Sequence, residues 1–340
     1  MSPSVLVRVL RATMLFATAF VAVCAPAQDK GAQENAAADV EQTLAAIVRV
    51  KAKIQKDARS AATLGVDRDG SGVMVREGYV LTIGYLVIEA ESVEVTGADG
   101  KTVPATLGGY DHASGFGLLK LLAPLGAKPL PLGDAGALAE REAAVVATFG
   151  GREGVSLVHV VSRRPFTGSW EYLLDSAIYT SPPVMNWSGA ALINARGELL
   201  GLGSLIVADS LGQGVQSPGN MFVPIDLLKP ILEDLIAQGR RAGPARPWLG
   251  LNAEEMRGRL MVARVSPDGP AARAGLKSGD LVVGVGGEEV STLAELYRKV
   301  WARGAAGVDV PLKVLQGMQI RDVTLRSIDR IEYFRQKTTY

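Results

Sequence analysis

Between residues 48 and 224 the apolar residues come in strand-length runs. Examples are VRVKAKI (48–54), GVMV (72–75), YVLTIGYLVI (79–88), FGLLKLL (116–122), AAVVATF (143–149), VSLVHVVSRRP (155–165), ALIN (191–194) and ELLGLGSLIV (198–207). Gly, Asp and Pro separate them roughly every ten residues, the spacing of an all-β sandwich or barrel. The segments ADG (98–100) and ARG (195–197) read as turns between such strands.

The period then changes. IDLLKPILEDLIAQGR (225–240) has helical spacing, with Asp226 read as its N-cap, Pro230 in the first turn and Gly239 near the stop. RRAGPARP (240–247) has linker composition. A smaller α/β unit follows: WLGL, RLMVARV, a helix at PAARAGL, LVVGVGG, a helix over 292–303, and the strands VDVPLKVL and IRDVTLRSI. A chain of 340 residues has room for two or three such domains.

The N-terminus carries a processing signal. Arg8 and Arg11 precede an apolar run over 14–23, and Ala25-Pro26-Ala27 offers a small-residue cleavage site. The run is too short to span a bilayer, so no transmembrane segment is expected after cleavage, and the product is expected in a periplasm-like compartment. Cys24, the single cysteine, follows Val23, which is bulkier than a lipoprotein site wants; it is not read as a lipid anchor. Residues 28–44 read as a flexible leader.

Net charge is +1 without a block of like charges, which gives no basis for electrostatic capture of nucleic acid or an anionic membrane. His112 and His159 are the only histidines, so no metal-ligand cluster is expected, and no cofactor. The same count restricts any Ser-His chemistry to two candidates. His112 reads as a solvated loop residue beside Asp111, and His159 as an edge or barrel-face residue in a strand.

The order of these segments resembles the HtrA/Deg family, in which a trypsin-like serine protease domain precedes a PDZ domain. The resemblance rests on RPWLGL (246–251), on VSPDGPAARAGLKSGDLVVGVGGEEVSTLAELYRKV (265–300) and on FVPIDLLKPILEDLIAQG before the linker. It implies a mainly β protein: a chymotrypsin-like double β-barrel followed by a C-terminal α/β PDZ domain. The expected division is signal peptide 1–27, leader 28–44, barrels 45–240, linker 241–247, PDZ domain 248–330 and tail 331–340.

Aligned to the family's motifs, the protease half keeps the frame and changes the chemistry. YVLTIGYLV puts Tyr85 where the resemblance implies the catalytic histidine, and DHASGFGLLK puts Gly115 at the aspartate. NWSGAAL keeps Ser188 at the nucleophile position but puts Asn186 at the oxyanion-loop glycine. A serine hydroxyl needs a base within hydrogen-bond reach. A neutral tyrosine, with an ordinary pKa of about 10, is expected to donate to Ser188 rather than accept from it. The expectation is a pseudoprotease, the alternative being an active serine endopeptidase using Ser188 with a non-standard base.

In the PDZ half, the resemblance implies that the N–H groups of Leu249, Gly250 and Leu251 receive a peptide's terminal carboxylate. The ligand then adds as a strand beside 249–252, with Leu293, Leu296 and Val300 forming the side-chain pocket. Expected partners are exposed C-termini or unfolded segments in envelope quality control. Homo-oligomerisation, as a trimer, is the family's habit.

Overall fold

The computed structural model describes residues 39–212 and 214–334; the signal-peptide region and Cys24 lie outside them. By its contacts the chain divides into residues 1–40 and 41–340, and the fold below belongs to the second unit.

The first barrel is formed by β1 (Ile47–Ile54), β2 (Asp67–Arg76), β3 (Tyr79–Ile83), β4 (Ala90–Thr96), β5 (Thr102–Asp111) and β6 (Phe116–Leu121). They close in the order β1-β2-β3-β6-β5-β4. The second uses β7 (Ala143–Ala147), β8 (Val155–Gly168), β9 (Tyr172–Ser181), β10 (Ala191–Ile193), β11 (Leu199–Val207) and β12 (Gly219–Pro224), closed as β10-β11-β12-β9-β8-β7. Alternation drives closure. In β1 the side chains of Val50, Ala52 and Ile54 are buried while Lys51 and Lys53 face solvent. Closing each sheet leaves no free edge and gathers Leu81, Phe116, Leu118, Leu192, Leu202 and Phe222 into the core.

The segment after β12 is not one helix. A 3₁₀ turn, Ile225–Leu227, precedes α1 (Leu232–Gln238), whose N-cap is Ile231 rather than Asp226. Pro230 has no N–H to continue a helical ladder, so the two pieces stay separate. Asp226 instead accepts from the Gly136 amide at 2.9 Å and from Lys229 Nζ at 2.6 Å. Gly239 ends α1 in the left-handed conformation.

The PDZ unit is a sheet ordered β13 (Leu251–Met256), β14 (Arg259–Val265), β15 (Leu281–Val285), β17 (Asp309–Gln316), β18 (Gln319–Arg326), with β16 (Glu288–Glu289) on β15. Strand β13 is at its edge. Two helices accompany it, α2 (Pro270–Arg273) and α3 (Leu293–Trp301). Thr292 and Glu295 cap α3 reciprocally, and its inner face is Leu293, Leu296, Tyr297 and Val300.

Both ends of the described unit are more ordered than the sequence suggests. Residues 41–44, assigned above to the leader, are helical, with Leu44 buried in the barrel core. The boundary expected between PDZ domain and tail falls inside α4 (Arg330–Phe334), whose Tyr333 ring lies 4.6 Å from Trp248.

Candidate functional site

Ser188 lies in the loop joining β9 to β10. Asn220, fully buried on β12, pins that loop by accepting from Val184 N (2.7 Å) and donating to Val184 O (3.0 Å). Past the serine, Gly189 adopts φ +73°, and a Cβ there would fall 1.9 Å from the Ser71 carbonyl oxygen. Only glycine fits, and its absence of a side chain lets Ser71 N donate to Ser188 O at 2.8 Å. The nucleophile turn is thereby tied to β2 of the other barrel.

The Tyr85 hydroxyl is 2.7 Å from Ser188 Oγ and 2.8 Å from the Ser204 carbonyl oxygen. A phenol carries one proton, and the carbonyl can only accept. Tyr85 therefore donates to Ser204 O, and the serine hydroxyl donates to the phenolic oxygen. This reverses the direction expected from sequence: Tyr85 accepts from Ser188. Burial pushes the Tyr85 pKa up to about 12, against the opposing pull of its hydrogen bonds to Ser188 and Trp187. At neutral pH the phenol is therefore protonated.

Gly115 follows the β5–β6 turn with φ +80°, and its carbonyl accepts from Gly84 N at 2.7 Å. A Cβ on it would meet Tyr172 Oη at 3.3 Å. Tyr172 itself donates to Ser114 O at 2.6 Å, so aromatic side chains fill the space beside this position. Asn186 is exposed and is not among the left-handed residues, so glycine's conformational freedom is not called upon there.

The two histidines fall in different settings. His159 is exposed on β8, as its strand position suggests. His112 is not a solvated loop residue. Its ring nitrogens lie 3.1 and 2.8 Å from Arg330 Nη1 on α4, and Nδ1 lies 3.3 Å from Tyr110 Oη. Burial first, then the Arg330 charge, hold its pKa well below the usual imidazole value. Its neighbour Asp111 pairs with Arg241 through two contacts, 3.0 and 2.9 Å. Neither histidine is hydrogen-bonded to Ser188. Among the described residues no cluster of His, Cys, Asp or Glu could hold a metal ion.

A cavity of about 550 Å³ extends from Ser188 and Tyr85, past Trp187 and Trp170, to Trp248 and Gly250. At its far end is the loop read from sequence as a carboxylate nest. The three N–H groups converge, but on a group of this chain. Glu171 Oε2 accepts from Leu249 N at 2.9 Å, while Oε1 accepts from Gly250 N at 2.7 Å and Leu251 N at 3.0 Å. Gly250 takes φ +78°, which turns the amides toward one point. Leu293, Leu296 and Val300 are buried in one cluster with Leu249, Leu251 and, from β9, Leu173. The residues expected to form an open pocket are thus packed, and packed partly against the barrel. Nothing in the sequence near Glu171 pointed to this role.

Residues 70–202 match a trypsin-like peptidase domain, and residues 247–326 a PDZ domain. The chain is 30% identical over 273 residues to a probable periplasmic serine endoprotease DegP-like of Halomonas elongata, covering 75% of this chain and 55% of that protein. It is 28% identical over 251 residues to the periplasmic serine endoprotease DegP of Escherichia coli K12, covering 68% and 51%. The chain thus spans about half the length of the curated relatives it matches. A solved HtrA-type protease, AlgW with decapeptide, shares the fold at 22% identity, with TM-score 0.54 over 86% of this chain and 98% of that one. Fold and domain matches define the class: a mainly β, trypsin-like peptidase domain followed by a PDZ domain. Within that class, the HtrA/Deg family is well supported by these relatives.

Proposed function

We propose that this chain is an exported HtrA-like pseudoprotease that binds C-terminal or unfolded peptide segments through its PDZ domain. The observation that carries the reading is the bonding at Ser188. Its hydroxyl donates to a neutral phenol whose proton is held by Ser204 O, and burial pushes the phenol's pKa up to about 12. Neutral phenol oxygen is too weak a base to activate a serine, and at Gly115 there is no carboxylate to stabilise an imidazolium.

The peptide-binding half of the reading is supported by the converged Leu249–Leu251 amides and the edge position of β13, which suit capture of a carboxylate and strand addition. AlgW, of the same fold, is described with a decapeptide. Periplasmic placement follows the names of the relatives and the N-terminal sequence; envelope quality control and trimer formation follow the family resemblance.

The test is to incubate the purified protein with a fluorophosphonate probe and with unfolded casein, using Ser188→Ala as control. No serine-dependent labelling or cleavage is expected. Labelling that disappears in Ser188→Ala would establish the second reading, a serine endopeptidase with a non-standard base. That reading has its own support in the retained Ser188–Gly189 turn and in relatives named serine endoproteases.

A further inference from the structure

Glu171 is an unusual residue for its position. Strands β8 and β9 are joined by the three-residue turn 169–171, and its third residue takes φ +59°. Hairpin loops of this length ordinarily place glycine at that left-handed position. A glutamate there carries backbone strain, and its carboxylate is buried, at 4% residue exposure. Both costs need a compensating contact.

The compensation is a set of contacts on the PDZ groove. The carboxylate takes the three amides of the nest. Two residues earlier, Ser169 O accepts from Ala253 N of edge strand β13 at 3.1 Å. Two residues later, Leu173 is buried in the same cluster as Leu249, Leu293, Leu296 and Val300. From the groove's helix, Tyr297 donates its hydroxyl proton to Gly168 O at 2.8 Å and accepts from Glu171 N at 3.2 Å.

A carboxylate in the nest, a main-chain bond to the strand edge and an apolar side chain in the pocket are what a C-terminal peptide would bring. We infer that the end of the β8–β9 hairpin, residues 168–173, is a built-in ligand of the PDZ groove, and that an external C-terminal carboxylate binds only by displacing it. The inference rests on the proposed peptide-binding role. It adds that the groove is self-occupied, so the apparent affinity for any external peptide is reduced by the fraction of molecules with the hairpin undocked.

The probe is a pool of fluorescein-labelled decapeptides with randomised C-terminal residues and free carboxylates, with the same pool amidated as control. Anisotropy is measured on the full chain as wild type, Glu171→Gln and Glu171→Gly, alongside hydrogen exchange of the 249–251 amides without peptide. Glycine adopts φ +59° freely, so Glu171→Gly preserves the turn, and circular dichroism checks both folds. Glu171→Gly is expected to bind the carboxylate pool about tenfold or more tightly than wild type, as follows from a groove open in about a tenth of molecules, whereas Glu171→Gln, a neutral side chain of the same shape, is expected to keep the groove closed. The three amides should exchange faster in Glu171→Gly. Equal affinity in all three proteins, or unchanged exchange, overturns the built-in ligand alone. If neither wild type nor variants prefer the carboxylate pool to the amide pool, the peptide-binding reading fails and takes the inference with it.

Discussion

At one end of the 550 Å³ cavity the chain satisfies a serine hydroxyl with a phenol; at the other it satisfies three main-chain amides with a carboxylate. The two closures differ in kind. On the function proposed above, Tyr85 stands where the base would be, and moving it aside leaves Ser188 without one. Glu171 imitates a group that would arrive from outside, and moving it aside leaves the nest intact. Replacement of a catalytic member removes a function, whereas imitation of a ligand only makes the function conditional.

The largest effect expected from this difference concerns Tyr85→His. An imidazole alone, with Gly115 unable to orient it, should leave casein cleavage at least about 10³-fold below that of a complete triad. Cleavage approaching a complete triad in this single variant would erase the contrast between the two ends. Next is Leu173→Ala, which removes a buried side chain shared by barrel and PDZ core; unfolding in urea should show a loss of about 2–4 kcal/mol.

Tyr85→Phe deletes one hydroxyl that serves both Ser188 Oγ and Ser204 O. A loss of about 1–3 kcal/mol is expected by the same measurement, because a buried carbonyl loses its donor.

The nest should also respond to pH. Burial raises the Glu171 pKa from 4.5 to about 7, against the pull of the three amides and Arg330. A carboxyl whose docked pKa is raised favours docking in its protonated form. That contribution is complete below about 4.5 and is lost as pH rises through about 7. Facing the group are the Arg330 guanidinium, the Tyr297 hydroxyl and His112, whose pKa burial and the Arg330 charge hold well below the usual imidazole value. Affinity for the carboxylate pool should therefore rise between pH 5 and pH 8 in wild type and stay flat in Glu171→Gln. The smallest effect belongs to the Asp175–Arg298 pair, which also joins β9 to α3 but is 80% and 57% exposed. Asp175→Asn should shift stability by less than about 0.5 kcal/mol.

What could be read from the sequence was what local spacing encodes. Tyr85 and Gly115 were placed by aligning YVLTIGYLV and DHASGFGLLK to the family's motifs, and the nest by the likeness of RPWLGL to the family's carboxylate-binding loop. The direction of the Tyr85–Ser188 bond was not readable, since it is set by Ser204, 119 residues away. Glu171 was invisible for the same reason: its partners lie 78 to 80 residues further along the chain. The misreading of His112 as solvated came from Arg330, the last residue assigned to the PDZ domain, which covers it from 218 residues away. The helix over 225–240 failed differently, because one proline outweighed an otherwise helical period.

The placement of the aromatic residues has a practical consequence. The chain has four tryptophans, and Trp170, Trp187 and Trp248 all line the cavity, while Trp301 stacks on Tyr297 of the groove helix at 5.7 Å. Undocking of the hairpin would carry Trp170 out of that ring and wet the other two. The unlabelled protein's own fluorescence is therefore a built-in gauge of whether its groove is open, readable in real time as a competing carboxylate is added.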